Sequence, residues 1–175
     1  VYASKIVSCK NSGVVSGEQY VGGIVGYVSD CSYSRGIAVS NVYNVGQISG
    51  ETYVAGIIGF AEDNTYLQNA YNIGSISASG IAGAILCADN YKWGKNSVYD
   101  SFYEKAKTPD IFGCGYEGVA GDSGGIQAKT ATELKSIDTY PEYKSEPGSY
   151  VGWKINSKYL EDNSWVLKSI FNDGY

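Results

Sequence analysis

Through positions 1–90, apolar and polar positions alternate over short stretches, and glycine or Asn/Asp interrupts them at regular intervals. Residues 42–49 place Val45 and Ile48 around Gly46, while 54–61 is almost wholly apolar. The first reads as a strand with a glycine kink. The second reads as a strand buried on at least one face, where glycine permits close stacking. The polar pieces 62–64 and 88–90 read as turns, because Asn and Asp tolerate left-handed backbone. Residues 1–8 read as the end of a preceding strand or coil, and 33–36 as a protruding loop.

The pattern repeats. With Cys9 set under Val42, the alignment runs without a gap until Tyr27 lies under Phe60. With Ala70 set under Val42, 70–77 aligns with 42–49, and 81–86 completes a third copy with Leu86 where a glycine is expected. The same step taken again from Ala70 reaches Val98-Tyr99-Asp100. On this alignment Tyr43, Tyr71 and Tyr99 share one slot, and Asn11, Asn44, Asn72 and Asp100 share the next. One such unit cannot bury its own apolar face, so copies must stack to form a core. The expected fold is all-β: a right-handed parallel β-helix-like solenoid of about three to four turns, with an irregular C-terminal cap containing a short helix. Its sharpest consequence is a stack of Tyr43, Tyr71 and Tyr99 at about one strand spacing, ~4.8 Å. A β-sandwich also has short strands and regular turns, but its strands need not repeat in sequence.

The repeats are assigned to 1–96, as copies at about 9–41, 42–69 and 70–96. From residue 97 the repeat stops, charge rises, and prolines occur at 109, 141 and 147. Thr130-Ala131-Thr132-Glu133 has the form of a capping box, predicting a helix near 131–137. Residues 140–150 read as polar loop, and 153–155 and 165–170 as strands. This 97–175 segment is expected to cover an open end of the stack, where an exposed strand row would invite pairing.

Several motifs resemble a known family. Gly23-Ile24-Val25-Gly26 and Gly56-Ile57-Ile58-Gly59 resemble the GLUG motif found in repeats of large bacterial surface proteins, with Gly83 in the third copy. Ser97-Val98-Tyr99-Asp100 and Lys129-Thr130-Ala131-Thr132-Glu133-Leu134-Lys135 resemble the elements that follow the last repeat there. Trp153 and Trp165 are similar in position to tryptophans near the end of such domains, and 171–175 resembles their closing segment. The resemblance implies a bacterial cell-surface or secreted location and an adhesin-like role for the repeats. It also implies that a peptidase domain can lie elsewhere in such chains.

Composition narrows the chemistry. The chain has 23 glycines, 17 tyrosines, a net charge of −5 and no histidine. With Arg35 its single arginine and no basic stripe, nucleic-acid binding is not expected. No apolar run is long enough for a membrane span, and the sequence reads as a piece of a larger chain. Cys9, Cys31, Cys87 and Cys114 lack zinc-type spacing. They could form two disulfides in three connectivities, or be buried as small apolar residues.

Gly121-Asp122-Ser123-Gly124-Gly125 spells the string around a serine-protease nucleophile. That chemistry needs a base in the histidine role, and a Ser–Lys pairing with Lys129 has nothing else behind it. Glycosidase chemistry needs two carboxylates roughly 5–9.5 Å apart, and Glu62, Asp63, Asp89, Asp100 and Glu104 offer only what any acidic chain offers. Asp63 and Asp89 are the candidate calcium ligands, although turn-forming is the simpler role for both.

The surplus of tyrosine is the one unusual signal. Tyr43, Tyr71, Tyr99, Tyr20 and Tyr53 are the candidate ligand-binding residues, because a row of rings can hold a sugar or a protein partner. The alternative is a ladder that only packs. The expectation is a non-catalytic region without a cofactor, serving as stalk, adhesin or binding module for a host or neighbouring-cell glycan or protein. A carbohydrate-binding or carbohydrate-active domain, and a passive spacer for a peptidase domain, are the alternatives.

Overall fold

A computed structural model describes residues 4–29, 37–62, 64–89, 96–116, 119–121, 125–135, 139, 153–154 and 166–167. The first row of strands is β1 (Lys5–Val7), β2 (Lys10–Asn11), β3 (Val15–Ser16), β4 (Gln19–Gly22) and β5 (Val25–Val28). The second is β6 (Ala38–Asn44), β7 (Ile48–Gly50), β8 (Thr52–Ala55) and β9 (Ile58–Ala61). The third is β10 (Tyr66–Asn72), β11 (Ile76–Ala78), β12 (Ala82–Gly83) and β13 (Leu86–Ala88). Then come β14 (Ser97–Tyr99), β15 (Ser101–Glu104), β16 (Cys114–Tyr116), β17 (Val119–Gly121) and β18 (Ile126–Lys129). A 3-10 turn (Lys105–Lys107) follows β15, and helix α1 (Ala131–Lys135) and the strands β19 (Trp153–Lys154) and β20 (Val166–Leu167) complete the described elements.

Equivalent strands of successive rows pair with one another, and they pair parallel. One sheet runs β1–β6–β10–β15–β18, with β2 beside β6 and β14 beside β10. Two three-stranded sheets, β3–β7–β11 and β4–β8–β12, lie between it and the sheet β5–β9–β13–β16–β17 in chain order. Among the described strands only β16–β17 and β19–β20 pair antiparallel. The fold is therefore all-β and built on parallel sheets, unlike a sandwich of antiparallel ones.

The register follows the repeat. Val15 and Val21 lie beside Ile48 and Val54, and Tyr71 and Ile76 lie beside Tyr43 and Ile48, as the alignment requires. The third copy departs from it further on: Gly83 lies beside Ala55 and not Gly56, and Leu86 beside Ile58 and not Gly59, because the missing residue is taken up at an irregularity between Leu86 and Ala88. The next step is longer than the one before it. Tyr71 lies beside Phe102, Asn72 beside Tyr103, and Gln68 beside Tyr99. The expected stack of Tyr43, Tyr71 and Tyr99 thus fails at its third member, whose slot belongs to Phe102, and Asp100 leaves the asparagine slot to Tyr103.

Backbone conformation accounts for the change. Ser8, Asn41, Asn69 and Asp100 all have positive φ, at 58°, 54°, 53° and 46°, and they mark one corner repeated through every row. Asp100 belongs to that corner because Asn and Asp accept the left-handed region more readily than most residues. Asn69 Nδ2 donates to Asn41 Oδ1 at 3.0 Å, linking two of these corners.

The apolar run 54–61 is not one strand. It breaks at Gly56-Ile57 between β8 and β9, and the kinked 42–49 is the end of β6 and the start of β7. Residues read as preceding the first copy include β1, which pairs with β6 through Ile6 and Val39. The expected loops at 33–36 and 140–150, Cys31, Trp165, and helix residues 136–137 lie outside the described residues.

Glycine is required at the turn between β8 and β9. A Cβ on Gly56 would meet the Ala84 carbonyl oxygen and the Asn72 amide, and one on Gly23 would meet the Gly56 carbonyl oxygen. The core lies between the first and last of these sheets and is filled by Val39, Val42, Ile57, Ile58, Leu67, Ile85 and Leu86.

Beside the core runs a ladder of side-chain amides. Asn11 Nδ2 donates to Asn44 Oδ1 at 2.7 Å, and Asn44 Nδ2 donates to Asn72 Oδ1 at 2.8 Å. Each amide also closes on its own row: Asn44 Nδ2 donates to the Gly46 carbonyl at 2.9 Å, and the Gly46 N–H donates to Asn44 Oδ1 at 3.1 Å. Asn44 is fully buried and uses both donors and both lone pairs, which makes its burial tolerable.

The capping box forms as read. The Thr130 N–H donates to the Glu133 carboxylate at 2.8 Å and the Glu133 N–H donates to Thr130 Oγ1 at 3.2 Å. Those bonds hold the Glu133 carboxyl below its usual pKa. Cys9, Cys87 and Cys114 are free thiols. Burial pushes Cys87 and Cys114 well above the usual thiol pKa. A thiol reagent applied to the native protein is expected to label Cys9 and to leave these two unmodified until denaturant is added, as read by peptide mapping. Labelling of Cys87 at the native rate of Cys9 would contradict its place.

Candidate functional site

The five nominated tyrosines fall into three different environments. Tyr43 and Tyr71 are neighbours in register, but both are buried, packed with Phe102 and with Leu134 of α1. Lys10 and Lys129 lie over the Tyr43 and Phe102 rings at 5.4 and 5.9 Å. These rings form a ladder that packs, with little ring surface open to a ligand. Tyr99 is 48% exposed on β14, with its ring 5.5 Å from that of Tyr66 on β10. The Tyr66 hydroxyl donates to Gln68 Oε1 at 2.8 Å.

Tyr20 and Tyr53 are brought together as nominated, their rings stacked at 5.5 Å with 13° between planes. Two further rings join them. Tyr27 lies 5.0 Å from Tyr20, and Phe60 lies 4.6 Å from Tyr53 in an edge-on arrangement. Tyr27 and Phe60 are themselves stacked at 5.9 Å. The four rings are thus two parallel pairs set at a steep angle. Tyr20 and Tyr27 remain 38% and 42% exposed, whereas Phe60 is nearly buried.

The backbone beneath this cluster is strained. Tyr20 and Tyr53 have φ of 55° and 58°, which costs an L-residue roughly 1–2 kcal/mol each. Room for it comes from Gly59, where a Cβ would lie 2.5 Å from both the Gly26 carbonyl oxygen and the Tyr20 carbonyl carbon. Gly26 faces the Tyr20 carbonyl oxygen in the same way, at 2.8 Å. The glycine tetrads therefore make space for the aromatic cluster as well as for the turns. Ring pairing returns about 0.5–1.5 kcal/mol per pair, comparable with the strain.

A carboxylate completes the cluster. Glu62 follows β9, and its N–H donates to the Val28 carbonyl at 3.0 Å, which sets it diagonally across from Tyr27. The Tyr27 hydroxyl donates to the Glu62 carboxylate; that bond, then burial, then the negative charge raise the Tyr27 pKa to about 12. The sign is that of an acid held protonated by the fold. Its stabilisation is complete below the unfolded tyrosine pKa of about 10 and is lost as pH rises from there towards 12. Absorbance titration at the tyrosinate band is expected to show a late tyrosinate that Tyr27→Phe removes and Glu62→Gln moves to lower pH. A titration unchanged by Glu62→Gln would contradict the pairing.

The nominated calcium ligand Asp63 lies outside the described residues, and Asp89 is exposed at the end of the third row. Among the described residues no three Cys, Asp or Glu side chains gather as a metal site. Within the protease-like string, Asp122, Ser123 and Gly124 lie outside the described residues. Also among the described residues, no helix is long and apolar enough to cross a membrane.

Sequence reading overlooked Tyr27, Phe60 and Tyr66, and it weighed Glu62 as a turn acid and a glycosidase carboxylate, not as a partner of the tyrosines. The signal for two of them was present, since Tyr27 and Phe60 occupy one slot directly after the glycine tetrads.

No family model, curated protein or solved structure matches this chain.

Proposed function

We propose that this chain is a non-catalytic binding module from the repeat region of a bacterial surface or secreted protein, coiled as a right-handed parallel β-helix-like solenoid. The observation that carries the binding role is the part-exposed cluster of Tyr20, Tyr27, Tyr53 and Phe60 with the Glu62 carboxylate at its edge. Aromatic surface with an adjacent acceptor suits a glycan, whose ring hydrogens pack on aromatic carbon while its hydroxyls donate to carboxylate and phenol oxygens. Tyr66 and Tyr99 with Gln68 offer a second, smaller surface of the same chemistry. The bacterial and extracellular setting, and the place within a longer chain, rest on the resemblance of the glycine tetrads and the segments after them to GLUG-repeat proteins. The parallel pairing of equivalent strands in one direction supports the coiled architecture.

Glycan-array binding is the test. Tyr20→Ala with Tyr27→Ala is expected to reduce binding at least tenfold, while Tyr43→Phe, which removes only the hydroxyl from a buried ring, leaves it intact. Binding that survives the double change would move the site away from this cluster. Sugar turnover abolished by a single carboxylate change would replace the module with an enzyme.

A further inference from the structure

The first row of strands is the free edge of each of the four parallel sheets among the described residues, and its chemistry differs from that of every later row. Several apolar positions that are fully buried in the second row are only half-covered in the first, although Val21 and Val28 stay buried beside Val54 and Ala61. Val42, Ile57 and Ile58 are sealed, whereas their counterparts Cys9, Ile24 and Val25 are partly exposed, and Val14 is 73% exposed. The core thus opens at this edge.

The amide ladder opens there too. Asn44 Oδ1 and Asn72 Oδ1 each accept two hydrogen bonds, one from the glycine two residues on and one from the amide of the preceding row. Among the described residues, Asn11 Oδ1 accepts only that of the Gly13 N–H, at 3.0 Å. Its second lone pair faces the position where a preceding amide would lie. Glycine use points the same way. A Cβ on Gly46 would strike the Gly13 carbonyl oxygen, and one on Gly74 the Gly46 carbonyl oxygen, so glycine in these rows is enforced by the row before. Gly50 and Gly59 are likewise crowded by the Gly17 and Gly26 carbonyl oxygens, at 2.8 and 2.5 Å. At Gly13 nothing enforces it: a Cβ would meet only Asn11 Oδ1 at 3.7 Å, and its φ is not positive.

We propose that this edge is a binding site for one further parallel strand segment of the same repeat chemistry, carrying Asn-x-Gly with its Asn beside Asn11 and its glycine carbonyl over Gly13. Strand addition to an open sheet edge takes its affinity from main-chain hydrogen bonds and its specificity from side-chain slots. Here the specific slot is the Asn11 acceptor, which selects an incoming amide donor in parallel register. Head-to-head pairing of two copies would run the strands antiparallel and could not extend the ladder.

The test uses the full chain and a fluorescent synthetic peptide with the sequence of residues 38–50, read by anisotropy. Saturable binding is expected, weakened at least tenfold when Asn44 of the peptide is alanine. Gly13→Ala in the chain is expected to weaken it equally, because its Cβ blocks the incoming carbonyl, while leaving the chain's melting temperature unchanged. Failure of the native peptide to bind, equal binding by the Gly13→Ala chain, or equal binding of the alanine peptide would overturn the proposal. So would concentration-dependent dimerisation in sedimentation that excludes the peptide. A loss of glycan binding on changing Tyr20 and Tyr27 bears on the aromatic site and not on this one.

Discussion

Asn44→Ala is expected to destabilise the fold by about 3–5 kcal/mol, from stripping partners off buried polar groups at about 1–3 kcal/mol each. The Gly46 N–H and carbonyl lose the amide that closes on them, and the Asn11 amide and Asn72 Oδ1 lose their link between rows. A small cavity adds to the loss. Asn11→Ala is the internal control. Asn11 makes the same contacts within its own row but is half-exposed and has a neighbour on one side only among the described residues, so water replaces part of what is lost. It is expected to cost about 1 kcal/mol. Urea unfolding separates the two, with a shift in midpoint at constant slope. Equal effects at both positions would mean that the ladder is not buried as described.

Gly56→Ala is the second large effect, at about 3 kcal/mol, the upper range for forcing a methyl group into close-packed surroundings. The added carbon meets the Ala84 carbonyl oxygen and the Asn72 side chain, so the strain falls on main chain and on the amide ladder together. Neither yields as the end of a flexible side chain would. Gly13→Ala, at open space in the first row, is the matched control and is expected to change stability by less than about 0.5 kcal/mol. The contrast matters because a general preference for glycine in turns would penalise both changes alike. Thermal unfolding of the pair decides between crowding and conformational freedom.

The repeat made much of the fold legible. The alignments of Cys9 with Val42 and of Val42 with Ala70 appeared in the string, and the residues they match up to Ile76-Ser77 lie beside one another in parallel register. The gap placed before Ile81 was one element too early, since Gly83 and Leu86 pair with Ala55 and Ile58 and the chain loses its residue only after Leu86. The third step was misread because Val98-Tyr99-Asp100 imitates Val42-Tyr43-Asn44. The fact that separates them is the positive φ of Asp100, shared with Ser8, Asn41 and Asn69, and a backbone angle is not written in the residue names. Strand breaks inside 54–61 were hidden for a similar reason. An apolar run of that length looks the same whether it is straight or turns a corner at Gly56.

The candidate site was legible only in part. Tyr20 and Tyr53 were paired from sequence because they hold one slot of two gapless copies. The burial of Tyr43 and Tyr71 was not, since part of the cover over them is Leu134, which lies far downstream of both in the chain. Whether a ring on a strand packs or faces solvent depends on what crosses it, and that is a long-range property. Glu62 read as an anonymous turn acid until its diagonal relation to Tyr27 gave it a partner.

The central claim is that equivalent strands lie side by side and parallel, with Tyr43 beside Tyr71 and Tyr71 beside Phe102. Cross-strand nuclear Overhauser contacts around Tyr71 test it most directly. Main-chain contacts are expected from 70–72 to 42–44 on one side and from 71–72 to 102–103 on the other, all in the parallel pattern. Contacts in an antiparallel pattern, or from Tyr71 to Tyr99 in place of Phe102, would contradict it.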